Sequence, residues 1–232
     1  MMIIIIILFT EVQVLILLTA VVSSTPKLTH VIPAEGRGRV SAVTSLDNEV
    51  FVLRSPNQQQ VEVYDASTFT LQRIKVPGLG TNSRGLAACA HYKCLYVSDH
   101  DQCSIHRAEL SGSSAVKKWS VDSGPAGLSV TKKHKVVVAC WAAHKILEYK
   151  TDGGDPEGEI SSREISLEQG GMTHPWHAFK LSTGDYVVSE WKSSGGAVSL
   201  VGIDGRVVRR YCPSPSSVVG EGMDGPIGLA VT

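Results

Sequence analysis

The sequence predicts an all-β chain of four-stranded antiparallel units, set side by side as the blades of a β-propeller and preceded by a separate apolar segment. Three observations carry that reading. One stretch recurs at spacings of 42 and 50 residues, its second run is almost wholly apolar in each copy, and no unit shows helical periodicity.

The apolar start comes first. Residues 1–22, MMIIIIILFTEVQVLILLTAVV, are apolar except for Thr10, Glu11, Gln13 and Thr19. The segment is expected to be helical and is set aside from the fold. As a secretory signal it offers the core Val14 to Val22, with Val22 and Ser24 at the −3 and −1 positions and cleavage before Thr25. No Lys or Arg stands near its start. As an uncleaved anchor it would place Glu11 and Gln13 mid-membrane, where a carboxylate costs roughly 2.5–3.5 kcal/mol. Residues 1–24 are thus signal peptide or membrane anchor, and 25–37 a linker. A secreted or extracellular chain follows from the first reading, a membrane-anchored one from the second.

From residue 38 the units follow in order. GLAACAHYKCLYVSDHD from Gly85 superposes on GLSVTKKHKVVVACWAA from Gly127 and on HAFKLSTGDYVVSEWKS from His177. SAVTSLDNEVFVLRSPN from Ser41 is a further copy, and GLAVT from Gly228 begins another. In each copy a first run ends in a polar turn and is followed by a second, apolar run that should be buried on both faces. A third run follows (VEVY, SIHR, KILEY, AVSLV), then a variable fourth (LQRIKV, AVKKW, REISL, RVVRRY). The blades are expected at about 38–80, 81–124, 125–172 and 173–225, with the first strand of a fifth at 226–232.

Composition narrows the function. Basic and acidic residues number 22 each and 43% of the chain is apolar, so no net field draws it to nucleic acid. Membrane contact is expected only if the first segment stays as an anchor. Secretion would put the five cysteines in an oxidising compartment. A tight turn sets Cys89 and Cys94 opposite each other on adjacent strands, where a disulfide is geometrically allowed. Alternatively both are small buried residues.

These units resemble the NHL repeat. GPAGLSV at Gly124, HPWHAFK at His174 and GPIGLAV at Gly225 match its opening, YVSD at Tyr96 its second strand, and HKILEYKTDGG and LVGIDG its third strand and exit. The likeness covers about residues 38–232. Such propellers usually close with six blades, which implies that this chain is a fragment or comes from a truncated gene.

In a propeller, the loop leading into the first strand and the loop between strands two and three share a face. Segments 99–103, 141–144, 173–177 and 191–196 should therefore converge. The candidate ligand-binding rim is Asp99, His100, Asp101, Trp141, His144, His174, Trp176, His177, Trp191 and Lys192. The same indoles could instead cover the seams between blades. In the ungapped superposition Asp99 falls against Trp141, Trp191 and Ser55. Asp99 stands at the family's Asp position, where it would tie its loop to backbone amides. The ligand-rich CLYVSDHDQCSIHR from Cys94 does not recur in the other copies, so no metal is expected there. KKHK from Lys132 falls on the far face as a solvated turn, and RVVRR from Arg206 on an exposed outer strand.

The chain is therefore expected to be a non-enzymatic binding or scaffold domain for an extracellular protein or other ligand, with no cofactor. One alternative is a piece of a tripartite-motif NHL protein, a ubiquitin ligase or RNA-binding propeller. Another is a metal-dependent propeller enzyme. A peptidyl-hydroxyglycine lyase would place zinc-binding His just before the Gly of each unit's opening, where this chain has Arg84, Ala126, Trp176 and Ile227. A calcium-dependent hydrolase would need acidic or Asn side chains converging on the channel.

Overall fold

The computed structural model describes residues 15–19, 27–32, 39–55, 60–110, 116–121, 123–152, 155–156, 163–191 and 196–211. Two strands come first: β1 (Leu15–Thr19) pairs with β2 (Lys27–Ile32). The helix expected over the apolar segment is therefore not formed at Leu15–Thr19. Its backbone groups bond to a second aliphatic, β-branched run instead of to their own turn. Among the described residues no helix is long and apolar enough to cross a membrane.

Four four-stranded antiparallel sheets follow, each in simple sequence order. Blade one is β3 (Arg39–Leu46), β4 (Glu49–Ser55), β5 (Gln60–Asp65) and β6 (Leu71–Lys75). Blade two is β7 (Ser83–Cys89), β8 (Cys94–Asp99), β9 (Ser104–Glu109) and β10 (Val116–Ser120). Blade three is β11 (Pro125–Val130), β12 (Val136–Cys140), β13 (Lys145–Tyr149) and, after the small pair β14 (Thr151–Asp152) and β15 (Asp155–Pro156), β16 (Arg163–Ser166). Blade four is β17 (Pro175–Lys180), β18 (Tyr186–Glu190), β19 (Ala197–Val201) and β20 (Val207–Tyr211). One 3-10 turn, Glu168–Gly170, is the sole helical piece among the described residues. The expected start of a fifth blade, residues 226–232, lies outside them. What they form is four blades, not the six that the family resemblance implied.

Successive side chains of a strand point to opposite faces, and here each face meets a different neighbour. From β8, Leu95 and Val97 pack with Phe51, Leu53 and Val63 of blade one. Tyr96 packs the other way, with Val136, Val138 and Leu147 of blade three. From β12, Val137 and Ala139 turn to Ala178, Tyr186 and Val188 of blade four. All residues of β8 and β12 are buried for that reason. The almost wholly apolar second runs of the sequence are the two-sided seams between blades.

The innermost strands β3, β7, β11 and β17 pack in order. Their approach explains the glycine that opens the repeat. A Cβ on Gly127 would lie 2.6 Å from the carbonyl oxygen of Trp176, and one on Gly85 would collide with the carbonyl oxygen of Ala126. Ser98 joins the same two strands. Its hydroxyl accepts from the Gly85 N–H (2.7 Å) and donates to the Ala126 carbonyl (2.5 Å).

Cys89 and Cys94 face each other across the β7–β8 hairpin as free, buried thiols. A hydrogen bond from the Cys94 thiol, then the N–H groups of Tyr92 and His91, pull the Cys89 thiol below its ordinary value against its burial, and the same partnership pushes Cys94 up.

Candidate ligand-binding face

A β-bulge interrupts the start of every first strand, between Val40 and Ala42, Ser83 and Leu86, Pro125 and Leu128, and Pro175 and His177. Bulges re-aim side chains at the ends of strands. Arg84, Ala126 and Trp176 occupy corresponding places in the last three.

A second repeated position follows each second strand. The N–H of His100 donates to Asn82 (3.2 Å), that of Trp141 to Gly124 (3.3 Å) and that of Trp191 to His174 (3.2 Å). These three backbone bonds make His100, Trp141 and Trp191 counterparts. The ungapped superposition, which set Asp99 against Trp141 and Trp191, is therefore one residue off in blades three and four. Ala42 pairs with Leu53 and Leu86 with Val97, but Leu128 with Val138 and Ala178 with Val188, so the later hairpins are one residue shorter.

The two positions meet over Arg84. Its Cζ lies 5.1 Å from the ring centre of Trp176 and 6.0 Å from that of Trp141, within cation–π range of both. Its Nε donates to Asn82 Oδ1 (3.0 Å), and Asn82 Nδ2 donates to Asp101 Oδ1 (2.8 Å). Burial weakens the basicity of Arg84, opposed by the charge of Asp101. The rings continue outward: His100 stands 6.3 Å from Trp141, Trp141 4.6 Å from His174, and His174 5.0 Å from His144. The His174 N–H donates to His144 Nδ1 (3.1 Å). Burial, then the neighbouring Arg84, holds the His100 pKa below its usual value. His100 Nδ1 lies 3.5 Å from Asp101 Oδ1, and the buried indole nitrogen of Trp141 has no hydrogen bond.

The structure thus brings His100, Asp101, Trp141, His144, His174 and Trp176 together, with Trp191 at the matching place in blade four. Lys192 lies outside the described residues. Two of the expected rim residues sit elsewhere. Asp99 is fully buried, accepting from the N–H groups of Gly80 (2.5 Å) and Gln102 (3.1 Å). Glu190 has the same task in blade four, accepting from the Thr173 N–H (2.8 Å) and pairing with Arg210. His177 turns toward blade three, where Nε2 meets the Leu128 carbonyl at 2.9 Å. A carbonyl only accepts, so Nε2 carries the proton, and burial lowers the pKa of this imidazole to about 4.

Arg84 and Asn82 were not among the expected rim residues. The available signal was an Arg directly before the Gly of an opening, where the other copies have Ala or Trp.

The remaining chemistry-bearing side chains of CLYVSDHDQCSIHR do not form a centre. His106 Nε2 lies 3.3 Å from Ser104 Oγ and 3.8 Å from Asp99 Oδ2, with all three residues buried. A serine nucleophile needs its carboxylate on the other imidazole nitrogen, and here both neighbours share one. Among the described residues no three His, Cys, Asp or Glu side chains are grouped to hold a metal. On the far face, His134 of the KKHK turn stacks on His91 of the preceding blade at 4.1 Å.

Fold and face together define a β-propeller that carries an aromatic loop surface around one guanidinium. No family model and no curated protein matches the chain. Solved structures do. A nidogen/laminin complex aligns with TM-score 0.64 and 16% identity, over 90% of this chain and 80% of the other. Virginiamycin B lyase from Staphylococcus aureus aligns with TM-score 0.60 and 11% identity, over 89% and 66%. Hydrazine synthase from Kuenenia stuttgartiensis aligns with TM-score 0.55 and 18% identity, over 71% and 46%. The chain thus spans about half to two thirds of the lyase and synthase chains. These likenesses show the β-propeller fold.

Proposed function

We propose that the chain is a secreted, non-enzymatic propeller of the NHL type whose convergent loop face binds a protein ligand. The observation that carries the reading is the recurrence of a half-buried ring at one position in three consecutive blades: His100, Trp141 and Trp191. A core seam needs no ring that remains partly exposed. Rigid aromatics with polar tips on adjoining loops are what recognition surfaces are built from. The nidogen structure was solved in a complex with laminin, which supports a protein ligand for a propeller of this shape.

Elemental analysis of the purified, dialysed chain tests the non-enzymatic half. The expected result is less than about one tenth of an equivalent of zinc or calcium, since such sites hold their ions through several ligands at once. One tightly held equivalent of either metal contradicts it. Secretion is tested by the N-terminus of the product in the culture medium, expected at Thr25. A product kept inside the cell with residues 1–24 intact contradicts it.

A further inference from the structure

We propose that Arg84, within cation–π reach of Trp141 and Trp176, is the point at which this face receives a single carboxylate of its protein ligand. The inference rests on the reading of the face as a binding surface, and it names what that surface selects.

Arg84 commits Nε to Asn82, which fixes the plane of the guanidinium. Its terminal nitrogens have no hydrogen bond or ion pair among the described residues. Asp101, the carboxylate that acts on it, is instead bonded to Asn82 Nδ2. Next to it the buried indole N–H of Trp141 is also without an acceptor. The terminal nitrogens of Arg84 reach solvent, where an acceptor brought from outside can meet them. A half-buried guanidinium with no ion pair is a poor resting state, and a planar carboxylate answers it with two parallel bonds.

Charge decides between anions. Asp101 stands beside the site and the buried Asp99 lies beneath its loop. One guanidinium facing that background suits a monoanion. A dianionic phosphate would meet repulsion from Asp101 without a second cation to offset it. The indoles of Trp141 and Trp176 both lie within cation–π reach of the planar guanidinium, and lysine, a flexible point charge, would not reproduce its fork.

The test uses the full chain and two fluorescent peptides, a Gly-Ser peptide with one central Asp and the same peptide with Asn in its place, with free acetate as the small-molecule arm. Binding is followed by anisotropy and by tryptophan emission. The Asp peptide is expected to bind at least about tenfold more tightly than the Asn peptide. Arg84→Lys should lose about tenfold for the Asp peptide while Arg84→Lys and wild type melt alike. Acetate that competes at the same site supports the carboxylate, and a peptide that outbinds acetate identifies a peptide as its source. Equal binding of both peptides, abolished by Trp141→Ala, overturns the carboxylate inference and leaves the binding face standing. Binding that neither Arg84→Lys nor Trp141→Ala changes overturns both.

Discussion

His177 shows how a single residue of the repeat can serve the fold where its neighbours serve the face. Its alignment with Gly85 and Gly127 places it at the tightest point of the inner strands, and its Nε2–H reaches back to the Leu128 carbonyl. Protonation would put a second N–H, and a charge, into that buried seam. Its folded pKa of about 4 lies below the ordinary 6.5. The unfolded chain therefore takes up a proton that the fold refuses between those values, so stability is complete above about pH 6.5 and declines as pH falls toward 4. Discounted for the partial exposure of the residue, the loss is about 2 kcal/mol. Urea midpoints at pH 7.5 and 4.5 check it: the fall should be smaller in His177→Gln, and equal falls in the two proteins would refute this role. The rim and the seam differ here by one residue across a bulge, which no period-2 pattern reveals. For the same reason Asp99 was expected on the rim, although its carboxylate is spent on the amides of Gly80 and Gln102. Arg84 stood out only as an Arg before the opening Gly; its setting was not legible, because it is made by indoles that belong to two other blades.

At the scale of elements, the hairpins set the register and the glycines set the spacing. The existence and order of the four strands per blade could be read from the sequence, because a strand buried on both faces must be apolar throughout. The exact register could not. The one-residue shortening of the later hairpins falls in polar turns, where no burial constrains the sequence, and it shifts the whole second strand against an ungapped superposition. Tight turns absorb the difference, with Lys93, His134 and Gly184 each taking positive φ. Spacing of the inner strands depends instead on Gly85 and Gly127. Gly127→Val would drive a side chain into the Trp176 backbone, with no flexible atom able to yield. The expected cost is about 3 kcal/mol, at the upper end for overpacking. Thermal or urea unfolding measures it, and because the same strand spacing holds Trp176 against Arg84, tryptophan emission should shift as well. A neutral Gly127→Val variant would show that the strands are not in the contact described.

The whole molecule is an array in which each blade lends one face of its second strand to each neighbour. Hydrophobic clusters fill the seams between blades one and two, two and three, and three and four. A buried polar group joins the last seam too: Glu148 of blade three holds Lys180 and Tyr186 of blade four, with Lys180 at 2.5 Å. Burial opposes its ionisation, but the bonds from Lys180 and Tyr186 outweigh that and leave its pKa below the usual carboxylate range. Rigid seams are what let loops from separate blades present His100, Trp141, Trp176 and Arg84 as one surface, since a shift among blades two, three and four would part the guanidinium from an indole. Whether that surface is where a ligand docks is tested most directly by site-specific photo-cross-linking in extracellular fluid. A benzophenone amino acid is placed in turn at His100 and Trp191 on the loop face and at Lys133 on the opposite face. The expected result is one protein adduct of the same mass from positions 100 and 191, suppressed by excess unlabelled chain, and none from 133. An adduct that forms at position 133 and fails at both loop positions would contradict a binding face built on the recurring rings.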